Sequence, residues 1–352
     1  MTSSLGRLED LPADYVGTLH GHNLAPLWPA LRSFIPHDRP TRRTQPYVWR
    51  YSEVRPLLMR AGELTPVEKA ERRVLVLCNP GHGLEELRAT PSIYVGLQLI
   101  LPGETAPTHR HTPSAVRFVV EGRGAYTVVD GQKLPMERGD LILTPSGLWH
   151  EHGHGGTDPV VWLDALDLPL HVLLETSYAI EGPRQSTTDA ATASQVRFQQ
   201  GGIVPYGALL RARASYPLMR FPWHGVRATL DAMSRSSAPG ELAHVAYVNP
   251  ETGHECLPTL GFSAVRLSPG TPATLPHHSA SMVLHIVEGE GVAEIDAERL
   301  QFAEFDTVAV PNFAEVRLQA AGRQPTYIFI IDDAPLQRRL GFYAVVDSRP
   351  AR

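Results

Sequence analysis

The sequence has little cysteine and no long apolar run. Only two of its 352 residues are cysteines, Cys78 and Cys256, and they lie far apart, so neither a disulfide framework nor a cysteine-based zinc site is expected. No segment approaches the roughly eighteen consecutive apolar residues of a membrane-spanning helix. The N-terminus also lacks the basic and apolar regions of a signal peptide. We therefore expect a cytoplasmic protein that does not bind membranes.

Charge of one sign is not concentrated anywhere along the chain. The 32 basic and 37 acidic side chains are interspersed and give a formal charge of -5. The sequence thus offers neither a basic stripe for nucleic acid nor a polybasic patch for lipid. This favours a small soluble ligand. The length is sufficient for two domains, each with its own core.

Two phrases of the sequence recur in its second half. VVEGRG at Val119–Gly124 returns as IVEGEG at Ile286–Gly291. GDLILTP at Gly139–Pro145 has a counterpart in FDTVAVP at Phe305–Pro311. Short β-rich runs ended by Gly, Pro or Asp surround both pairs, which is typical of a sandwich or barrel. An internal duplication of one β-architecture explains the pattern.

These patterns divide the chain into four segments. Residues 1–72 mix short helical and extended signals, and residues 73–175 contain the first set of predicted strands. Residues 176–205 are poor in large apolar side chains, which is typical of a linker or crossing segment. Residues 206–352 contain the second set of strands. We predict a mainly β chain with two tandem domains and an N-terminal helical segment.

A metal site is indicated by histidines in the first copy. Residues two apart on a strand point to the same face, so His109 and His111 can direct both imidazoles into one interior. His150 follows a turn at residues 145–147 that would bring it opposite the first pair. The HxH pair alone could equally lie on the surface, but the second motif favours a metal site. Three imidazoles suit iron, zinc, copper or nickel.

The same residues carry a resemblance to the cupin proteins. Ala115 departs from the usual cupin pattern, since most cupins have a glutamate ligand there. A site of three histidines on a duplicated chain resembles the gentisate and salicylate 1,2-dioxygenases, and the phrases LAPLW, PLLMRAGEL and ERRVLVLCNPG are similar to that family as well. The residues that match the two cupin motifs are Gly103, His109, His111 and Gly122 in the first, and Gly139, Pro145, Gly147 and His150 in the second.

The resemblance implies a fold and an activity. The fold would be a bicupin, two tandem double-stranded β-helix or jelly-roll domains, assembled as a homotetramer. The activity would be Fe(II)-dependent insertion of O2 between the carboxylate-bearing and hydroxyl-bearing carbons of an aromatic hydroxy acid. Gentisate, cleaved to maleylpyruvate, is the first expectation. Salicylate and its 5-nitro or 5-chloro relatives are the alternatives.

The missing glutamate has a chemical consequence. Three neutral imidazoles leave both positive charges on Fe(II), so the site favours a ligand that brings two negative charges. An ortho-hydroxybenzoate does so by chelating through its carboxylate and its ionised hydroxyl. The metal would then serve as template and redox relay.

Arg117 is a candidate for substrate binding. It lies six residues after His111, an even offset that suits the same inner face. A guanidinium can hold a carboxylate through two parallel hydrogen bonds. The competing interpretation is an exposed strand residue in an ion pair.

The resemblance adds further residues to the predicted substrate pocket. Tyr94 and Gly96 precede Gln98 at two-residue steps, so all three could face one cavity. A structural hydrogen bond remains as good an interpretation as a catalytic role for His152 and Asp164. The pocket positions matched by resemblance are Arg73, Gln98, His152 and Asp164.

The second copy has lost the metal motif. Pro276 and His278 align with the first pair of histidines, and Val316 aligns with His150. This copy is expected to serve packing and assembly, although His277, His278 and His285 could form an unrelated site. Rival functions are a sugar-phosphate isomerase, an oxalate decarboxylase or a non-catalytic metal-binding cupin module. The two enzymes normally keep the glutamate, so Ala115 argues against them.

Overall fold

The computed structural model describes residues 6–183, 191–236, 238 and 241–346, apart from the side chains at 68 and 191–193. The chain forms two compact units, Met1–Arg43 and Thr44–Arg352. The smaller unit contains a 3-10 turn at Leu8–Asp10 and two helices, α1 (Ala13–Gly21) and α2 (Leu31–Phe34).

The larger unit contains two 14-residue helices and several short ones. None of the helices in the described part of the chain has the length and apolarity that a membrane crossing requires. A 3-10 turn lies at Tyr206–Leu209. The helices are α3 (Tyr51–Leu64), α4 (Val67–Ala70), α5 (Leu168–Leu173), α6 (Ala191–Arg197), α7 (Trp223–Ser236) and α8 (Ala334–Leu340).

The described residues of the larger unit also form 21 strands. The first eleven are β1 (Tyr47–Trp49), β2 (Arg73–Val76), β3 (Tyr94–Ile100), β4 (Thr105–His111), β5 (Ala115–Glu121), β6 (Ala125–Val129), β7 (Gln132–Pro135), β8 (Leu141–Thr144), β9 (His150–His154), β10 (Val160–Leu166) and β11 (Ala179–Glu181). The others are β12 (Arg220–Phe221), β13 (Ala243–Ala246), β14 (Gly261–Leu267), β15 (Ala273–Thr274), β16 (Met282–Glu288), β17 (Gly291–Ile295), β18 (Glu298–Phe302), β19 (Thr307–Val310), β20 (Val316–Ala320) and β21 (Thr326–Asp332).

The strands form two pairs of sheets with the same design. The first half has a six-stranded sheet, β12-β8-β5-β10-β3-β2, and a five-stranded sheet, β11-β4-β9-β6-β7. The second half repeats this with β1-β19-β16-β21-β14-β13 and the four-stranded sheet β15-β20-β17-β18. The predicted duplication of one β-architecture is therefore present. Residues 184–190 of the predicted linker lie outside the described residues.

The two halves exchange strands. β1 precedes the first half in sequence but pairs with β19 of the second, with Tyr47 opposite Ala309. β12 pairs with β8 of the first half, with Arg220 opposite Ile142. Each long helix follows directly on its exchanged strand, so α3 and α7 connect the halves.

Acidic residues of the repeated phrases anchor these helices. The N–H of Tyr51, the first residue of α3, donates to Asp306 at 2.8 Å, and the N–H of Trp223, the first residue of α7, donates to Asp140 at 3.0 Å. Gly139 has a φ of +83° and lies so close to Trp223 that a Cβ would come within 2.5 Å of its ring. The recurring aspartate therefore reflects helix anchoring, and in the first copy Gly139 also meets the demands of the turn and of the close contact with Trp223.

The interiors of the halves differ in polarity. The second half encloses an apolar cluster drawn from both of its sheets, including Leu284, Ile286, Val316 and Leu318. Leu284 occupies the position that Arg117 has in β5, because the two strands align on their EG phrases. The second interior is therefore an apolar core.

His285 belongs to the face where the two six-stranded sheets pack together. It is 1% exposed and lies in ring contact with Phe118, 5.4 Å between centroids. Phe118 also stacks on Phe329 at 4.2 Å. His285 Nδ1 is 3.1 Å from Thr307 Oγ1. Burial, together with the smaller effect of the charge of Arg138, lowers the pKa of His285 to about 3.

This burial predicts an acid-sensitive interface. The folded chain holds His285 neutral, whereas a histidine in the unfolded chain has a pKa of about 6.5. The contribution of His285 to the free energy of unfolding is therefore complete above pH 6.5 and is lost as the pH falls from there towards 3. We expect the His285→Gln variant to lose less stability than wild type between pH 6.5 and 5, by about 1.4 kcal/mol per pH unit. Urea unfolding at each pH measures this difference. His224 is exposed, and His224→Gln, the control, should keep the wild-type slope; an unchanged slope for His285→Gln would contradict the prediction.

Candidate metal centre

Three histidines converge inside the first half. β4 supplies His109 and His111 from alternate positions, and β9 begins at His150, which pairs with His109 across the sheet. The ring centroids are 4.1 Å apart for His109 and His150, 4.7 Å for His111 and His150, and 5.3 Å for His109 and His111. One nitrogen from each ring lies within 4.8 Å of the others. Among the described residues this is the one cluster able to hold a metal ion.

Backbone carbonyls orient two of the rings. His111 Nδ1 lies 2.7 Å from the carbonyl oxygen of Pro113, and His150 Nδ1 lies 3.0 Å from that of Leu148. A carbonyl can only accept, so each Nδ1 carries the proton and each Nε2 keeps a lone pair. The Nε2 of His150 is buried and has no hydrogen-bond partner among the described residues. A metal ion would satisfy that atom, which is the arrangement of a metal-binding histidine.

Burial keeps the three imidazoles neutral. It lowers the pKa of His109 to about 3 and that of His111 to about 4. The pKa of His150 is also held well below its ordinary value by burial and by the charge of Arg117. Metal ligation requires neutral imidazole, so the rings are in the binding form at neutral pH.

Arg117 points into the same interior from β5. It is 3% exposed, its guanidinium donates to Thr144 Oγ1, and its Nε lies 3.6 Å from Asp164 Oδ1. Burial raises the pKa of Asp164 to about 6, and the charge of Arg117 opposes the rise. Arg117 is therefore a buried cation with one carboxylate beside it, not an exposed strand residue.

His152 lies two residues after His150 on the same face of β9. Its ring is buried, 6.1 Å from that of His150 and 5.3 Å from that of Trp162 between centroids. Neither ring nitrogen has a hydrogen-bond partner among the described residues. A buried polar ring without partners is costly, so His152 is a candidate to bind a ligand beside the three histidines.

Tyr94, Gly96 and Gln98 share one face of β3, as their spacing predicts. Gly96 pairs with Asp164 across the sheet, and Gln98 is buried. A Cβ at Gly96 would lie 2.4 Å from Val74 Cγ1 and 3.0 Å from the Tyr94 hydroxyl. Burial and the charge of Asp164 raise the pKa of Tyr94. Gly96 thus makes room for the side chains of Val74 and Tyr94.

Arg72, which the sequence analysis did not single out, lies beside the histidines, whereas Arg73 does not. Arg72 Nη2 contacts the His109 ring, more closely at Nδ1 than at Nε2, which is 3.3 Å away, and donates to the carbonyl of Pro107 at 2.9 Å. Arg73 instead forms a buried ion pair with Glu104 and contacts the carbonyl of Gly62. Side chains alternate between the two faces of a strand, so Arg72 lies on the same face as Val74, beside Gly96. This alternation was the sequence signal that could have identified Arg72.

The histidines of the second half do not converge. His277 Nε2 donates to the carbonyl of Phe313 at 3.2 Å, and His278 Nδ1 accepts from the N–H of Ala280 at 3.2 Å. His285 lies in the interface between the halves. The described residues thus give no support to an unrelated site formed by these three.

The chain is similar to one family model and to several named proteins. A family model described as "Cupin domain" matches residues 96–166. The chain is 52% identical to a gentisate 1,2-dioxygenase from Ralstonia sp., over 97% of this chain and 96% of that protein. It is 36% identical to a 5-aminosalicylate 1,2-dioxygenase from Comamonas sp., over 91% and 86%.

A solved structure matches almost the whole chain. Salicylate 1,2-dioxygenase from Pseudoaminobacter salicylatoxidans, in its adducts with gentisate, superposes with a TM-score of 0.89 at 31% identity and covers 99% of this chain and 97% of that one. The predicted mainly β bicupin fold is confirmed. The chain belongs to the cupin family of gentisate and salicylate 1,2-dioxygenases, enzymes that cleave aromatic rings.

Proposed function

We propose that the chain is an Fe(II)-dependent gentisate 1,2-dioxygenase with His109, His111 and His150 as metal ligands. The observation that carries the proposal is the convergence of three neutral imidazoles, those of His109 and His111 half-buried and that of His150 buried, beside two guanidiniums. The gentisate 1,2-dioxygenases at 52% and 36% identity support gentisate as the substrate. The product would be maleylpyruvate.

The charges in the cavity favour a doubly negative ligand. Arg72 and Arg117 contribute two positive charges and Asp164 contributes one negative charge, so a divalent metal would leave a strong positive excess. Gentisate bound through its carboxylate and an ionised hydroxyl offsets that excess. A neutral phenol would not.

Each residue has a proposed task. Arg117 and Arg72 bind the carboxylate, Gln98 and His152 contact the ring substituents, and Asp164 orients Arg117. Arg72, at the cavity, replaces Arg73 in this assignment. When bound, Fe(II) supplies a template for the aromatic acid and O2 and a path for electrons between them.

Salicylate and 5-substituted salicylates are the second candidate. The 5-aminosalicylate 1,2-dioxygenase at 36% identity and the salicylate 1,2-dioxygenase structure favour them. Recognition of the 5-position would fall to Tyr94 and Gly96. We propose further that the chain acts in the cytoplasm as a homotetramer, with residues 73–175 as the metal-binding domain and residues 206–352 as its degenerate copy.

The proposal is tested by anaerobic reconstitution with Fe(II) followed by oxygen uptake. Gentisate, salicylate, 5-aminosalicylate, 5-chlorosalicylate and 5-nitrosalicylate form the panel. We expect the highest kcat/KM for gentisate, with one O2 consumed per ring cleaved. If the enzyme consumed no oxygen with any of these acids, the proposed function would be refuted.

The first prediction from this proposal concerns the metal ligands. Replacing His109, His111 or His150 by Ala should remove most bound iron and nearly all activity, because a three-ligand site has none to spare. Metal analysis after gel filtration measures the bound iron. His278→Ala is the matched control and should retain it. Stoichiometric iron in His111→Ala, or loss of half the iron in His278→Ala, would show that the ligand assignment is mistaken.

The second prediction concerns the guanidiniums. Arg117→Lys and Arg72→Lys should each raise KM for gentisate by about ten- to a hundredfold, because lysine keeps the charge but cannot make a two-point contact worth about 1.5–3 kcal/mol. Bound iron should stay unchanged. Arg73→Lys, the control beside Glu104, should leave KM within twofold of wild type. If Arg73→Lys raised KM for gentisate and Arg72→Lys did not, the carboxylate would be bound by Arg73 instead of Arg72.

The third prediction concerns Gly96. Gly96→Ala should change the preference among 5-substituted salicylates by about tenfold, because a methyl forced against a packed wall costs about 1–3 kcal/mol. The methyl displaces Tyr94 or Val74, so adding Val74→Ala should restore much of the wild-type preference. Specificity constants across the panel measure the effect. If all stay within about twofold of wild type, Gly96 does not shape the pocket.

A further inference from the structure

The loop that holds His111 is tied to the second half of the chain. His111 ends β4, and its ring orientation depends on the carbonyl of Pro113, two residues later. The next residue, Ser114, donates its N–H to Asp167 Oδ1 at 2.7 Å. The other carboxylate oxygen of Asp167 accepts from the hydroxyl of Thr259, at 2.5 Å, and Thr259 lies just before β14 of the second half.

These bonds form one continuous connection to the ligand. Ser114 and Asp167 are each only 2% exposed, so the bonds between them are shielded from water. The N–H of Asp167 also lies 3.3 Å from the carbonyl of Ser114, which closes the loop on both sides. A shift of Ser114 must move the adjoining carbonyl of Pro113, since the peptide bond that joins the two is rigid.

We propose that Thr259 and Asp167 are positioning residues for the metal ligand His111, through which the degenerate half of the chain sets the geometry of the metal centre. This inference rests on the proposed metal site and identifies what holds one of its ligands. Partners behind metal-ligating histidines commonly alter metal affinity by about 10- to 100-fold. Here that support comes from the other half of the duplication.

The mirror arrangement in the second half provides an internal comparison. Ser281 donates its N–H to Asp333 Oδ1 at 2.9 Å, and Ser92 of the first half donates its hydroxyl to Asp333. Thr259 of the second half thus bonds to Asp167 of the first, and Ser92 of the first half bonds to Asp333 of the second. The second connection leads to His278, which is not in a metal cluster.

The two connections differ at the residue that meets the histidine. Proline at 113 has no N–H, so only its carbonyl is available to His111 and the proton is fixed on Nδ1. Ala280, the equivalent residue, donates its N–H to Nδ1 of His278, which places that proton on Nε2. The connection therefore yields a ligand-competent imidazole only in the first half.

The experiment measures metal affinity in the full-length chain, stripped of metal and titrated with Co(II) against a competing chelator. Thr259→Val removes the hydroxyl with little change of volume and should raise the Co(II) dissociation constant at least tenfold and alter the Co(II) absorption bands. Thr259→Ser keeps a hydroxyl at this position, so its Co(II) dissociation constant should stay within twofold of the wild-type value. Asp167→Asn should act in the same direction as Thr259→Val.

Ser92→Ala is the matched control, because it removes the equivalent hydroxyl from the mirror connection. It should lower the melting temperature of the metal-free chain about as much as Thr259→Val does, while leaving the Co(II) constant and absorption bands unchanged. If Thr259→Val also leaves both unchanged, Thr259 is only a structural contact and the inference fails.

The outcome is separable from that of the proposed function. Full Co(II) binding by His111→Ala would show that the metal site itself is misassigned. A wild-type chain that binds Co(II), responds to Thr259→Val and yet cleaves none of the aromatic acids would refute the dioxygenase proposal and support the positioning role.

Discussion

The packing of the two six-stranded sheets against each other is the constraint on which the rest of the structure depends. Phe118 stacks on Phe329 at this face, and each half receives an exchanged strand, β1 or β12, from outside its own segment. Neither half can complete its sheet alone. A duplicated copy that has lost its polar interior is therefore retained, because the copy with the histidines is built partly on it.

Within the first half, desolvation determines the chemistry. The same desolvation that lowers the pKa values of the three imidazoles also acts on Arg117, whose ion-pair partner among the described residues is Asp164. A buried cation with few anionic partners is unfavourable. In the proposed function, an anionic ligand would offset that cost on binding.

The sequence predicted the metal cluster because it depends on local spacing. His109 and His111 need only strand alternation, and His150 needs only a turn. The substrate residues depend on register, and a one-residue shift moves a side chain to the opposite face. Arg73 was matched to the pocket by resemblance alone, whereas alternation along β2 places Arg72 on the face of Val74. The tight contact of Gly96 with Val74 joins two strands and was equally beyond sequence reasoning.

The comparison of the two copies shows how much a metal site requires besides its ligands. Restoring a histidine at Pro276 would leave His278 with its Nδ1 bonded to the N–H of Ala280, so the proton would stay on the nitrogen that should face the metal. Leu284, at the position of Arg117, and its apolar neighbours would still disfavour an ion. The functional unit of this fold is thus the ligand together with the carbonyl, the loop and the polar interior that prepare it; the second half keeps His278 and the loop connection at Ser281 but lacks the accepting carbonyl and the polar interior.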